Sequence, residues 1–490
     1  MSVPSPPMAR TPRQTGLGIR NVVVDYGADR TGNYWATVPI QSAINAASKA
    51  WGELSRNNKY TWDQALVVIP SGIYLVGNLE IKSNVAVYLA PGAVLRFSGR
   101  RKDYTPHYFK TSQGRNVTWW IKTAFDSRNI RFFGRGIVDG NGWEATMGPG
   151  DSIGNNLLVA ISTTDFRCEG ITFRNSGAWS VAVIGARGAV FRNIKFLNRL
   201  DMGENDGIDI MHSNDVSVVR SIAISLDDAY STKTWEMRTR IARSWPDGID
   251  GPNSDIVFDD ALAWTRCFGF KVGQGVMRAQ RNITFRNSVI YDASIGIGIN
   301  HKWGRASVEN IRFEDIEIER ISMMLENRSS WQAVFISNGD RLGGGMINDV
   351  TFKNIKVFSQ GRTASQLSGM SSSAYVRRIE FSNIVMPGSA VPATNLEELK
   401  IEDVWWVKGI KVNGKEQQPM QPKSKRLGVT RGEISQKPMQ PKNKQLGGAR
   451  GEEVLQKPEP IWGRPKWGQP EQKMLRSPTH AGPTYAYGLV

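Results

Sequence analysis

One stretch of the sequence, GENDGIDIMHSNDVSVVRSIAISLDDAYSTKT, concentrates aspartates, among them Asp206, Asp209, Asp227 and Asp228. Carboxyl groups that lie close raise one another's pKa, so one can keep its proton near neutrality while a neighbour stays ionised. Glycoside hydrolysis needs that division of labour. One carboxylic acid protonates the leaving oxygen and another carboxylate activates water. Asp206 and Asp227 stand 21 residues apart, about one turn of a solenoid, which would stack them on neighbouring coils. Asp209 and Asp215 read instead as turn residues that cap strand ends through backbone amides. Clustered aspartates also suit calcium, a hard cation with several oxygen ligands, although neither an EF-hand loop nor a nonapeptide repeat accompanies them.

Bringing these residues together is work for a repeating fold. From about Leu66 the chain runs in short β-branched stretches broken by Gly and Asn. A weak motif recurs in CEGITFRNS, QRNITFRNS, VENIRFEDI and INDVTFKNI, among others: Asn or Asp, an apolar residue, any residue, Phe, then a polar pair. The spacing of roughly 20 to 40 residues is that of solenoids. Alternating strands, Asn at the turns and the lack of crossover helices predict an all-β, right-handed, single-stranded parallel β-helix. A propeller ranks second, because its blades need antiparallel hairpins and few Asn-Gly or Asp-Gly signals occur. Upstream, PIQSAINAASKAW places Ile40, Ala43, Ile44 and Ala47 at helical spacing and predicts a short N-terminal capping helix.

The expected organisation is a flexible arm over 1–20, the β-helix catalytic domain over 21–412, and a disordered basic tail over 413–490. The tail repeats itself at a 19-residue step, with Met420 matching Met439 and Gly432 matching Gly451. It holds 14 Lys and Arg against 6 acidic residues, about half of the net excess of +17. What is left on the folded part shows no basic helix, zinc-finger spacing or RNA-binding aromatics, so a nucleic-acid partner is not expected. The two cysteines, Cys168 and Cys267, read as buried thiols. No apolar run is long enough for a membrane span, and the opening MSVPSPPMARTPRQTG lacks the apolar core of a signal peptide.

The runs NDGID and LDDA resemble the NTDG and DDC or DDA signatures of glycoside hydrolase family 28, the polygalacturonases and rhamnogalacturonases. VVIPSGIYLVGNLEIKSNVAVYLAPGAVLRFS, GRGIVDGNGW and FRNSGAWSVAV are similar to further segments of that family, so the resemblance covers about residues 21–385. It implies a pectin-lyase-like solenoid that cleaves a pectin or polygalacturonan type of polysaccharide with inversion. In that mechanism Asp227 is the general acid, and Asp206 and Asp228 position and deprotonate the water. No cofactor and no metal are expected, and the protein is read as a monomer whose partner is its polysaccharide substrate. Extracellular action is implied by the resemblance alone. Inversion calls for roughly 6.5–9.5 Å between Asp227 and a water-activating carboxyl group.

Two departures bear on the substrate. The family's histidine position falls on Phe268, and its Arg and Lys positions fall on Gly298 and Asn300. Lys271, Lys302 and Arg305 are the neighbouring cations that could reach a uronate, and His301 and Trp303 stand beside them as substrate-binding candidates, His301 equally as a strand-edge hydrogen-bond partner. The insertion TWEMRTRIARSWPDGIDGPNS adds Trp235 and Trp245, either as platforms for sugar rings or as packing. Two alternatives follow: a dextranase-like hydrolase of a neutral glucan, or a structural β-helix that binds glycans without cleaving them. Catalysis by the three aspartates separates the last from the others.

Overall fold

The β-branched runs pair with the run one repeat away, not with their sequence neighbours, and the computed structural model describes residues 18–55, 64–110, 113–142, 153–235, 248–325, 327–339 and 343–418. Their strands form one twenty-stranded and one twelve-stranded sheet, parallel except for two hairpin pairings. This is the right-handed parallel β-helix expected from the repeat.

The motif itself explains the coil. In the long strands Asn253–Thr265, Gln280–Asp292, Val308–Ile318, Ile347–Val357 and Val376–Val385, two columns of residues hold positive φ. One contains Asp255, Asn282, Asn310 and Asp349, the other Asp260, Asn287, Asp315, Asn354 and Asn383. Asn and Asp tolerate this left-handed conformation better than other side chains, and each such residue turns the strand around a corner. Their amides bond from coil to coil, Asn354 Nδ2 to Asp315 Oδ1 at 2.8 Å and Asn383 Nδ2 to Asn354 Oδ1 at 2.9 Å.

Between the two columns the motif's Phe points inward. Phe258, Phe285, Phe313, Phe352 and Phe381 stack with centroids 4.5, 5.2, 5.3 and 4.8 Å apart. Phe313 contacts a ring above and one below, so Phe313→Ala should cost about 3–5 kcal/mol of stability. Denaturant unfolding checks this, and a loss under about 1 kcal/mol would show that the stack adds little.

The helix Thr37–Ser55 closes the first coils by burying Ile40, Ala43, Ile44 and Ala47, the positions its spacing predicted. No helix among the described residues is long and apolar enough to cross a membrane. Two expected boundaries move. The strand Ile19–Asn21 begins inside the expected arm, and the strand Lys415–Gln417 folds back antiparallel on Val407–Val412, beyond the expected end at 412. The basic repeat that follows lies outside the described residues.

Candidate functional site

Parallel register decides which outward side chains meet. In the twelve-stranded sheet Ile208–Met211 pairs with Tyr230–Thr234, setting Asp209 against Ser231 and Met211 against Lys233. The Gly207 amide donates to the Asp228 carbonyl at 2.9 Å, so Asp206 stands beside Asp228. Asp227, the neighbour expected from the 21-residue step, sits one residue earlier at the corner. It is fixed there by Asn205, whose Oδ1 accepts the amides of Leu226 and Asp227 at 2.8 and 3.4 Å. Ser225 Oγ and Thr265 Oγ1 donate to its carbonyl.

Two buried lysines organise the carboxylates. Lys233 Nζ lies 2.6 Å from Asp209 Oδ1, 3.1 Å from Asp206 Oδ2 and 3.9 Å from Asp228 Oδ2. Lys271 Nζ donates to Asp228 Oδ2 at 2.7 Å, and the Cys267 thiol donates to Asp228 Oδ1 at 2.9 Å. Burial alone would raise the Asp228 pKa, but Lys271, Lys233 and the thiol outweigh it and hold that carboxyl below the usual range. Asp227 has no such cation in contact among the described residues. Burial, then the charges of Asp206 and Asp228, push it up to about 8. Burial and the Asp209 charge raise Asp206 as well, against the pull of Lys233. An acid that keeps its proton thus stands next to a carboxylate that does not, and Asp206 Oδ1 has no hydrogen-bond partner among the described residues.

The gap between them is shorter than expected. Oxygens of Glu204, Asp206 and Asp227 lie within 4.8 Å of one another, as do ligand atoms of Asp227, Asp228 and Cys267. Either trio has the spacing to hold a cation, with Lys233 and Lys271 already compensating much of the negative charge.

The other sequence candidates divide. Lys271 is at the site but committed to Asp228. His301 is buried, its Nε2 2.8 Å from the Ala306 carbonyl, where it braces a strand end. Trp303 pairs opposite Gly275, four residues beyond Lys271. Lys302 Nζ lies over the Trp303 ring at 4.7 Å and Arg305 is exposed past it, so these residues do not join the aspartates. Trp235 is only 3% exposed and packs on Trp303 at 5.3 Å between centroids, so it is packing and not a sugar platform. Trp245 lies outside the described residues.

Sequence reasoning missed the partners of the aspartates. Asp209 is no turn cap but a buried strand residue paired with Lys233, and only the coil register reveals that pairing. Glu204 and Lys110 were also missed. They form an ion pair of 2.9 Å, with Lys110 Nζ 3.9 Å above the Trp179 ring. Lys110 comes from the hairpin of Tyr108–Lys110 with Arg115–Thr123. That hairpin reaches across three coils: the Tyr108 hydroxyl contacts Asn156 Oδ1 at 3.1 Å, Arg115 Nη2 the Gly177 carbonyl at 2.7 Å and Gln113 Nε2 the Gly203 carbonyl at 3.4 Å.

Known proteins resemble this chain in sequence and in fold. An exo-poly-alpha-D-galacturonosidase of Dickeya chrysanthemi is 29% identical over 174 residues, 33% of this chain and 26% of that enzyme. A probable exopolygalacturonase B of Emericella nidulans is 23% identical over 316 residues, 58% of this chain and 65% of its own. The chain therefore spans under two thirds of each relative's length. The structure of an exopolygalacturonase from Thermotoga maritima superposes with a TM-score of 0.61 at 17% identity, covering 84% of this chain and 94% of that one, which shows a shared fold. The model of glycosyl hydrolases family 28 matches residues 63–402, more than half of the sequence, and the chain belongs to that family.

Proposed function

We propose that this protein is a glycosidase that hydrolyses a galacturonan-type polysaccharide from one chain end by inversion. The observation that carries the reading is the buried Asp227 carboxyl, pushed up to about 8 by burial and its acidic neighbours, beside Asp228, which Lys271 and Lys233 contact or approach and hold low. Asp227 gives its proton to the glycosidic oxygen as that bond breaks. Asp228, assisted by Asp206, takes a proton from the water whose oxygen bonds to the anomeric carbon. Action at a chain end is supported by the hairpin at Tyr108–Lys110, which reaches over the coils on one side of the aspartates as far as Gly203 and Glu204. The relatives named as exo-acting galacturonan hydrolases support both the substrate and the mode.

The short carboxyl gap favours a second reading. Spacing near 5 Å is the usual mark of retaining enzymes, which pass through a glycosyl-enzyme intermediate. Proton NMR of the first product on polygalacturonate decides, with the inverted anomer expected, and a retained anomer would overturn the roles given to Asp206 and Asp228. The same screen should include rhamnogalacturonan, dextran and pullulan, with products resolved by size. Release of single sugars from pectic polymer is the expected result, and turnover of dextran alone would make the neutral-glucan alternative correct.

A further inference from the structure

The outward face of the twelve-stranded sheet continues well past the aspartates. Two residues beyond Lys271, on the same face, Gly273 pairs with Asn300, Asn300 with Phe335, Phe335 with Ser368 and Ser368 with Trp405. Inward residues of these coils, Val272, Ile299, Val334, Leu367 and Val404, belong to the core, which confirms the alternation. Gly273, Asn300, Phe335, Ser368 and Trp405 therefore form one column on the side that carries Lys271. Trp405 ends it four coils away, ~19 Å at about 4.8 Å per strand.

Trp405 differs from every other member of that column. It is 45% exposed where Asn300, Phe335 and Ser368 are buried. The next residue, Trp406, is 53% exposed and takes φ +55°, a left-handed conformation that is unfavourable for a bulky side chain. The fold accommodates it at a specific place: a Cβ on Gly369 would come within 2.6 Å of the Trp406 carbonyl and 2.7 Å of its Cβ. Exposed aromatic surface in register with the face that carries Lys271 points to a ligand. Between the site and Trp405 the Arg328 guanidinium lies over the Phe335 ring at 4.1 Å, which places a cation along this face.

We propose that Trp405 is a distal stacking platform for the polysaccharide chain whose scissile bond lies at Asp227 and Asp228. This rests on the functional reading above. The direction follows from the hairpin on the opposite side, which touches Gly203 and Glu204, so a bound chain extends along the coils that lead to Trp405. The ligand is a pyranose residue several units from the bond being broken, and the ring face supplies affinity without specifying its substituents.

The test compares polymer with disaccharide. Trp405→Ala should lower kcat/KM on polygalacturonate about ten-fold and leave the disaccharide unaffected, while Trp405→Phe, which keeps a ring, restores most of the polymer rate. Equal losses on both substrates, or no loss on the polymer, would overturn the platform. Retardation of the Asp227→Asn protein in gels containing polygalacturonate gives a readout that needs no turnover. Loss of retardation on adding Trp405→Ala supports the platform. Unchanged or absent retardation rejects it. A wild-type protein that is retarded but cleaves no pectic polymer would instead refute the functional reading and leave the platform standing.

Discussion

Asp227→Asn should lower kcat about 10²- to 10⁴-fold, because it removes the proton that the leaving oxygen must receive and little else. The amide keeps the size of the carboxyl, and the corner is fixed through backbone groups held by Asn205, Ser225 and Thr265, so the local fold has no reason to change. In the wild type the acid must be protonated, so the rate should hold through neutrality and fall as pH rises through about 8. Stability has its own sign. The folded pKa lies above the ordinary value of 3.8, so the folded state binds the proton more tightly and loses stability as pH climbs from about 4 to 8. The asparagine variant escapes that loss and should melt higher than wild type at neutral pH, an inactive protein more stable than its parent. Steady-state rates and melting curves across pH check both halves. Retention of more than about a tenth of the wild-type rate would remove Asp227 from the role of acid.

The second large effect belongs to Lys233. Its ammonium touches Asp206 and Asp209 and lies near Asp228, and all four side chains are buried. Lys233→Met would strand Asp206 and Asp209 without the cation that contacts them, while Asp228 keeps Lys271, and breaking a buried ion pair by removing one partner costs about 3–5 kcal/mol. That is a large share of the 5–15 kcal/mol that holds a typical domain together. Activity should be lost as well, since Asp206 would lose the cation that positions it and Asp228 one of the two cations that hold its carboxyl low. Adding Asp209→Leu should recover much of the stability, because an apolar pair can replace a buried ion pair at little cost, but should not recover activity. Urea unfolding of the single and double variants is the measurement. A single variant within about 1 kcal/mol of wild type would mean that Lys233 neutralises nothing of consequence.

The solenoid was legible because each half of the motif has one physical job. Its Asn and Asp turn corners in a conformation few residues accept, and its Phe fills the bore, so both recur wherever a coil recurs. The trio Asp206, Asp227 and Asp228 was legible for the same reason: one repeat length brought them to one place. Their cations were not. Lys233 sits in SerThrLysThr at a strand end, a sequence indistinguishable from a solvated edge until the register sets Met211 opposite it. Lys302 and Arg305 misled in the opposite sense. They lie close to Asn300 in the chain, but the strand carries them onward along its own axis, past a register shift at Gln274 and Gly275. Trp405 gave no periodic signal, since its meaning lies in being the last member of a column whose other members are small or covered.

A stack of parallel coils is open at both ends, and each open end offers unpaired backbone groups as a template for another chain. The helix Thr37–Ser55 lies over the first coils, and Lys415–Gln417 doubles back on the final strand of the larger sheet with reversed polarity. At the last strand of the larger sheet a coil of an identical molecule would meet a strand of reversed polarity in place of a matching parallel edge. These two short elements act as stoppers against end-to-end fibre growth, a hazard built into any architecture whose stability comes from repeating one coil upon the next.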